Sequence, residues 1–80
     1  MNSESGELKT MKKWCGIQKS NKTNRYRIVV PMCGYECISD DMMVESCIGG
    51  RILTKWLSLD EAKEACKAFN MLHEKYNENI

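Results

Sequence analysis

The five cysteines are the first residues of this chain whose chemistry stands out. A tetrahedral zinc site takes four ligands, and Cys15, Cys33, Cys37 and Cys47 could supply four thiolates. Structural zinc sites usually have two close pairs of ligands, whereas here only Cys33 and Cys37 form such a pair. The odd number of cysteines and the missing secretion signal argue against a disulfide framework. Reduced thiols and no cofactor are therefore predicted, with a zinc site as the alternative.

Groups suited to catalysis are sparse. The single histidine, His73, lies in a segment of helical periodicity, and a general base needs a nucleophile within hydrogen-bond distance. Asp40 and Asp41 are adjacent, so their side chains diverge in an extended segment. Gly49 and Gly50 lack the lysine and the hydroxyl residue that complete a phosphate-binding loop. The sequence therefore predicts a protein that is not an enzyme.

Basic residues concentrate in the first part of the chain. Residues 1–30 carry seven Lys/Arg and two acids, whereas residues 31–80 carry five Lys/Arg and nine acids. The formal net charge of +1 thus divides into +5 and −4. This division predicts a basic face, which attracts polyanions because their counterions are released on binding. An ordinary solvated surface is the alternative interpretation.

The length of 80 residues predicts one small domain with a thin core. A hydrophobic fraction of 42% and a charged fraction of 29% are typical of globular domains. No apolar run is long enough for a membrane span and residues 1–13 do not resemble a signal peptide, so a cytoplasmic protein without membrane contact is expected. Residues 1–10 are predicted to be a flexible leader, and residues 11–80 a single domain with an insertion at about 31–48.

Two strands are predicted early in the chain, at residues 14–19 and 25–30, with a polar turn at residues 20–24 between them. Strand alternation places Arg25 and Arg27 on the same face of the second strand. These two arginines are the centre of the expected basic face.

The strand patterns after Pro31 are weaker. Residues 35–38 and 42–48 can each form a short strand. The pair Gly49-Gly50 predicts a tight hairpin, which leads into a strand at residues 51–57 that is central or last in the sheet.

The clearest local pattern is a helix that begins at Leu59. Ser58 is the predicted N-cap and Glu61 stands at the third helical position, which completes a capping box. Apolar residues then recur at steps of three and four, and they predict a stripe that packs on the sheet. The stripe comprises Ala62, Ala65, Cys66, Phe69, Leu72 and Tyr76. The predicted fold class is α+β, a three- or four-stranded antiparallel sheet packed on one C-terminal helix with its other face open.

The order of these segments resembles an AP2/integrase-arm-type DNA-binding domain over about residues 13–72. The similar segments are a glycine-containing strand at 14–19, an aromatic and basic strand at 25–30, the Gly-Gly-Arg segment at 49–57 and an alanine-rich helix at 59–70. In that family a three-stranded antiparallel sheet lies in the major groove and the helix packs behind it. The resemblance therefore implies duplex DNA as the partner.

The resemblance also assigns the DNA contacts to basic and polar residues of the open sheet face. These residues are Gln18, Lys19, Arg25, Arg27 and Lys55. By analogy with the family, they would contact bases and phosphates of the duplex.

The alternative function is a small protein-binding module or inhibitor, for example a regulator or an anti-defence type protein. Its interface would be a sheet edge or the Met- and Cys-rich insertion, and a sheet edge could also pair with a second copy to form a homodimer. The chain has residue types that often anchor interfaces. They are Trp14, Tyr35, Met42, Met43 and Trp56.

Overall fold

The fold is that of a computed structural model in which residues 13–32 and 34–78 are described. Its elements in chain order are β1 (Gly16–Lys19), β2 (Tyr26–Pro31), β3 (Met43–Val44), β4 (Gly49–Ile52) and α1 (Leu59–Glu78). The four strands form one sheet, and α1 follows them, so the predicted α+β class is confirmed. The predicted leader at residues 1–10 lies outside the described residues.

The sheet is mixed, which corrects the prediction of an antiparallel sheet. Its strand order is β3-β1-β2-β4. β2 pairs antiparallel with both β1 and β4, whereas β3 pairs parallel with β1. The cause lies in the path of the chain after β2. Because β1 and β2 are antiparallel, β2 ends beside the start of β1. Because the chain passes that end of β1 before β3 begins, β3 runs in the same direction as β1.

The predicted hairpin at Gly49-Gly50 is wrong, because both glycines belong to β4. β3 and β4 occupy opposite edges of the sheet and do not pair with each other. The glycines do not form a turn. Because they have no side chain, neighbouring groups can approach their backbone closely. A Cβ on Gly49 would collide with the side-chain amide of Gln18, and a Cβ on Gly50 would lie 2.9 Å from the carbonyl oxygen of Val30.

The helix begins as predicted. The backbone N–H of Glu61 donates to Ser58 Oγ at 3.2 Å, and the backbone N–H of Ser58 donates to Glu61 Oε1 at 3.1 Å. This reciprocal capping box satisfies donors that the first helical turn would leave unpaired. It also fixes the point at which the chain turns from the sheet to the helix.

The first face of the sheet packs on the N-terminal half of α1. The buried cluster there comprises Cys15, Ile17, Ile28, Ala62 and Cys66. Ala65 and Phe69 pack against it, but Leu72 and Tyr76 are 63% and 68% exposed. The predicted apolar stripe therefore contacts the sheet only in its first half, because the later turns of α1 extend past the strands.

The second face of the sheet is covered in part by the segment of residues 34–48. Val29, Cys37 and Val44 form a second buried cluster, and the half-buried side chains Tyr35, Met42 and Ile48 pack against it. The prediction of an open second face is therefore wrong over this area. The physical reason is hydrophobic: the segment supplies apolar side chains that remove Val29 from water.

The close contact between this segment and the sheet requires a glycine in β1. A Cβ on Gly16 would lie 2.5 Å from Val44 Cγ2, 3.0 Å from Cys37 Sγ and 3.1 Å from the carbonyl oxygen of Met42. Val44 has a stiff, β-branched side chain, and a backbone oxygen cannot rotate away. Gly16 thus makes room for the second cluster.

We expect Gly16→Ala to destabilise the protein by about 1–3 kcal/mol, because the added methyl overpacks the second cluster. Urea unfolding followed by circular dichroism measures this change. In a double-mutant cycle with Val44→Ala, the two destabilisations should be less than additive, since shortening Val44 relieves part of the collision. Strictly additive effects would contradict the contact.

A buried amide joins α1 to the start of the sheet. Asn70 Oδ1 accepts hydrogen bonds from the backbone N–H groups of Trp14 at 2.8 Å and Cys15 at 2.9 Å. Its Nδ2 donates to the carbonyl oxygen of Cys15 at 3.3 Å and to Asp40 Oδ1 at 2.9 Å. Lys13 Nζ lies 3.7 Å from the same carboxylate oxygen. Asn70 therefore holds together the helix, β1 and the segment that covers the second face.

We expect Asn70→Ala to reduce the free energy of unfolding by about 2–3 kcal/mol, because it leaves two backbone N–H groups without their acceptor. Urea unfolding gives the value. The exposed Asn24→Ala is the control and should change stability by less than about 0.5 kcal/mol. Equal effects of the two substitutions would show that the network contributes little.

Candidate nucleic-acid interface

The turn between β1 and β2 is ordered by Ser20. Its hydroxyl oxygen accepts from the backbone N–H groups of Lys22 at 3.1 Å and Thr23 at 3.2 Å. Its own N–H donates to the carbonyl oxygen of Arg25 at 2.9 Å. These hydrogen bonds close the polar turn that the sequence predicts, and they hold the backbone around the exposed Lys22 in place.

Arg27 is held by two neighbours. Its Nε donates to Gln18 Oε1 at 2.8 Å, across the β1–β2 pair. The guanidinium carbon lies 4.3 Å from the centroid of the Trp56 ring, within cation–π distance. Gln18 is 3% exposed, and its Nε2 donates to the carbonyl oxygen of Ser46 at 3.4 Å. The arginine is thus positioned by a buried amide that is itself anchored to the covering segment.

Trp56 reaches Arg27 because the ladder beside β2 is interrupted. The N–H of Leu53 donates to the carbonyl oxygen of Ile28, and Leu57 next pairs with Tyr26. The chain from Leu53 to Leu57 thus opposes the shorter stretch from Tyr26 to Ile28. Thr54 Oγ1 accepts the N–H of Ile28 at 3.1 Å and replaces the missing ladder bond. This irregularity directs Trp56 onto the arginine.

These side chains line a cleft of about 510 Å³, which we call the basic cleft. Its four cationic residues are Lys19, Lys22, Arg25 and Arg27, and Trp56 is its aromatic residue. Its neutral polar residues are Gln18, Ser20, Asn21, Thr23 and Ser46. Among residues 13–32 and 34–78, no acidic side chain lines the basic cleft. The ion pair between Lys13 and Asp40 belongs to the Asn70 network and not to the cleft.

The structure brings together three of the five predicted DNA-binding residues as exposed or half-exposed cations, namely Lys19, Arg25 and Arg27. Gln18 also reaches the cleft, but it is buried and positions Arg27. Lys55 is exposed and lies outside the lining of the cleft.

Sequence reasoning missed Lys22 and Trp56 as members of the site. Lys22 lies within the predicted polar turn, between the predicted site residues Lys19 and Arg25. Its position in the chain therefore could have indicated that it belongs to the site. The sequence indicates Trp56 only as a residue type that can anchor a protein interface. With the observed pairing of Val29 and Ile52, regular alternation would place Trp56 on the face of Arg27 but opposite Arg25. Only the irregularity at Thr54 brings it to Arg27.

One carboxylate lies at the border of this region. The pKa of Glu61 is lowered, first by the hydrogen bonds from the backbone and side chain of Ser58 and then by the positive charges of Arg25 and Lys55. Glu61 therefore stays ionised in the field of Arg25 and Lys55. Arg25 and Lys22 are both exposed to solvent.

The described candidate zinc ligands do not form one site. Cys15 is buried in the first cluster, Cys37 is buried in the second, and Cys47 is exposed with its Sγ 3.7 Å from Glu45 Oε1. Cys33 lies outside the described residues. Within the described part of the chain, no group of three His, Cys, Asp or Glu residues is placed to hold a metal ion.

The buried thiols have structural contacts. Cys15 Sγ lies 3.9 Å from Cys66 Sγ and 3.3 Å from Asn70 Oδ1. The hydrogen bond with Cys66 and burial both raise the pKa of Cys15, and burial raises the pKa of Cys37. These two thiols therefore stay protonated at neutral pH.

The residues considered for catalysis also have structural neighbours. His73 stacks on Trp14 with ring centroids 4.5 Å apart and an interplanar angle of 4°. Asp40 accepts from Asn70, and Asp41 Oδ1 accepts from Ser39 Oγ at 2.9 Å. These contacts place the two acids in different hydrogen-bond networks.

Comparison with known proteins adds no relative: no family model, no curated protein and no solved structure matches this chain. The resemblance to the AP2/integrase-arm type therefore stays a prediction. No helix among the described residues is long and apolar enough to cross a membrane.

We expect Cys47 to react with a thiol reagent far faster than Cys15, Cys37 and Cys66 in the native protein, because its side chain is exposed and those three side chains are buried. Peptide mass spectrometry after brief treatment with a disulfide reagent at neutral pH measures each site. Cys47→Ser should remove the early modification at this position. Equally early modification of Cys37 would contradict the packing of the second cluster.

Proposed function

We propose that this protein binds DNA through the basic cleft and acts as a binding protein without catalytic activity. The observation that carries the proposal is the convergence of four cationic side chains around an exposed tryptophan, in a cleft whose described lining contains no acid. Cations neutralise phosphates and release their counterions, and aromatic rings contact bases. This combination of residues is suited to a nucleic acid.

The charge distribution supports an anionic ligand. No described ion pair involves Lys19, Lys22, Arg25 or Arg27. The four positive charges repel one another, so the arrival of a phosphate lowers the electrostatic free energy of the cleft. The same charges also accelerate encounter with a polyanion at low ionic strength.

Duplex DNA is the ligand that the family resemblance implies, but the way of docking must differ from the expected one. Residues 34–48 cover the part of the sheet face that includes Val29 and Gly16, so the face cannot lie flat in a groove. The β1–β2 turn and Trp56 are the parts of the basic region that remain accessible. The proposal includes a cytoplasmic location, where the thiols stay reduced.

We expect Lys22→Gln and Arg25→Gln each to weaken binding to a labelled DNA oligonucleotide. The slope of log affinity against log salt concentration should fall in magnitude by about 0.7–0.9 for each phosphate that the variant no longer neutralises. Fluorescence anisotropy at several salt concentrations measures both quantities. Lys67→Gln is a matched control, since it removes the same charge from an exposed site on α1 away from the cleft.

Two results would count against this proposal. One is the absence of a salt-sensitive complex with any DNA at low ionic strength. The other is an equal reduction of affinity in Lys67→Gln and Lys22→Gln, because it would assign binding to overall charge and not to the cleft.

A second candidate is the protein-binding module. Exposed apolar side chains on the later turns of α1 favour it, with Met71, Leu72 and Tyr76 between 56% and 68% exposed. Leu72 and Tyr76 line a second cleft with Trp14 and Phe69, which is apolar in character. Under this alternative, the double substitution Leu72→Ser with Tyr76→Ser should abolish association with a partner or with a second copy. Analytical ultracentrifugation measures this association. The same substitution should leave DNA affinity unchanged.

A further inference from the structure

Trp56 presents an aromatic surface inside the basic cleft. The guanidinium of Arg27 lies over its ring, 4.3 Å from the centroid, and the residue is still 40% exposed. Because the arginine covers one face of the indole, a stacking partner has to use the opposite face or the ring edge. An exposed aromatic face among cations is suited to stacking by a nucleobase.

This surface is held in place before any ligand arrives. Arg27 is fixed by its hydrogen bond to Gln18 Oε1 at 2.8 Å, and the buried Gln18 is held in turn by the carbonyl oxygen of Ser46. Trp56 is held by the irregular ladder around Thr54, whose hydroxyl accepts the N–H of Ile28. Little side-chain freedom is left to lose on binding, which favours recognition of a specific shape.

The shape of the cleft distinguishes an unpaired base from a base pair. A base inside a duplex has both faces covered by its neighbours, so it cannot stack on Trp56. Direct readout of base edges in a duplex also requires an element that projects into a groove. The site is instead a concavity of about 510 Å³, which lies in the ordinary range for small-molecule sites of about 300–1,000 Å³.

We propose that the basic cleft binds one unpaired nucleotide of a DNA strand, with the base stacked on Trp56 and the adjoining phosphates contacted by Lys22 and Arg25. The inference rests on the proposed DNA binding, and it names the form of DNA that the site takes. Asn21 and Thr23 at the rim supply an amide and a hydroxyl for hydrogen bonds to the base edge or the sugar.

The test compares three labelled oligonucleotides of about ten nucleotides: oligothymidylate, an abasic strand of the same length and a duplex. The abasic strand keeps the phosphates and lacks the bases. We expect oligothymidylate to bind about five- to a hundredfold more tightly than the abasic strand, because stacking of one base supplies a factor in this range. We also expect it to bind more tightly than the duplex, as measured by fluorescence anisotropy at low salt.

Substitutions assign the preference to Trp56. Trp56→Ala should reduce binding of oligothymidylate to the level of the abasic strand, while Trp56→Phe should retain most of the difference. Lys22→Gln should weaken all three ligands by similar factors. In Trp14→Phe, the remaining tryptophan is Trp56, and its fluorescence should be quenched by oligothymidylate and not by the abasic strand.

The outcomes separate the inference from the function on which it rests. Equal, salt-sensitive binding of oligothymidylate and the abasic strand would overturn the unpaired-nucleotide site and leave DNA binding standing. Tighter binding of the duplex would do the same. If none of the three ligands binds, both proposals are overturned. Circular dichroism of each variant verifies that it is folded.

Discussion

Both faces of the sheet have to be buried for so short a chain to fold, and the second face depends on the missing side chain of Gly16. A chain of this size buries only about 60% of its unfolded surface, so each apolar cluster is a large part of its stability. The helix covers one face with Ala62 and Cys66. The other face is covered because Val44 and Cys37 approach the backbone of Gly16 closely. A single methyl group at this position would overpack the contact between the covering segment and the sheet.

The same covering segment determines where the basic residues remain accessible. Near the cleft, the carbonyl oxygen of Ser46 in this segment accepts from the buried Gln18. Beyond this point the β1–β2 turn carries its cations into solvent, and Trp56 closes the other side of the basic cleft. The cleft therefore lies at the edge of the second cluster. Its geometry depends on the packing of Val44 and Cys37 against β1, which the absence of a side chain at Gly16 permits. The position of Arg27 in the cleft and the packing of the covering segment are linked here through Gln18.

Local patterns predicted much of the fold, and contacts between distant segments accounted for the rest. The capping box of Ser58 and Glu61 and the polar turn at residues 20–24 depend on neighbours in sequence, so they could be recognised there. The parallel β3 was not predictable, because its direction follows from the path of the chain around β1. Gly49-Gly50 has the composition of a turn. In the structure, the lack of side chains at these glycines instead lets the Val30 backbone and the Gln18 side chain approach closely. Strand alternation predicted Arg25 and Arg27. Lys22 lies in the turn, and the position of Trp56 beside Arg27 depends on the interrupted ladder.

The environment of Arg27 is better suited to binding than to stability. The arginine is half-buried, and its described contacts are a neutral amide and an aromatic ring, with no carboxylate in an ion pair. A cation–π contact is worth about 0.5–2 kcal/mol, and hydrogen bonds between charged and neutral groups about 1.5–3 kcal/mol. These contacts fix the guanidinium but leave its charge without a counter-charge. A planar guanidinium has five N–H donors, and Gln18 accepts from only the one on Nε. The remaining N–H donors can bind an anion in a bidentate way. A carboxylate of the chain in this place would have neutralised the charge and closed the site, so the absence of one from the described lining of the cleft is what keeps it available to a phosphate.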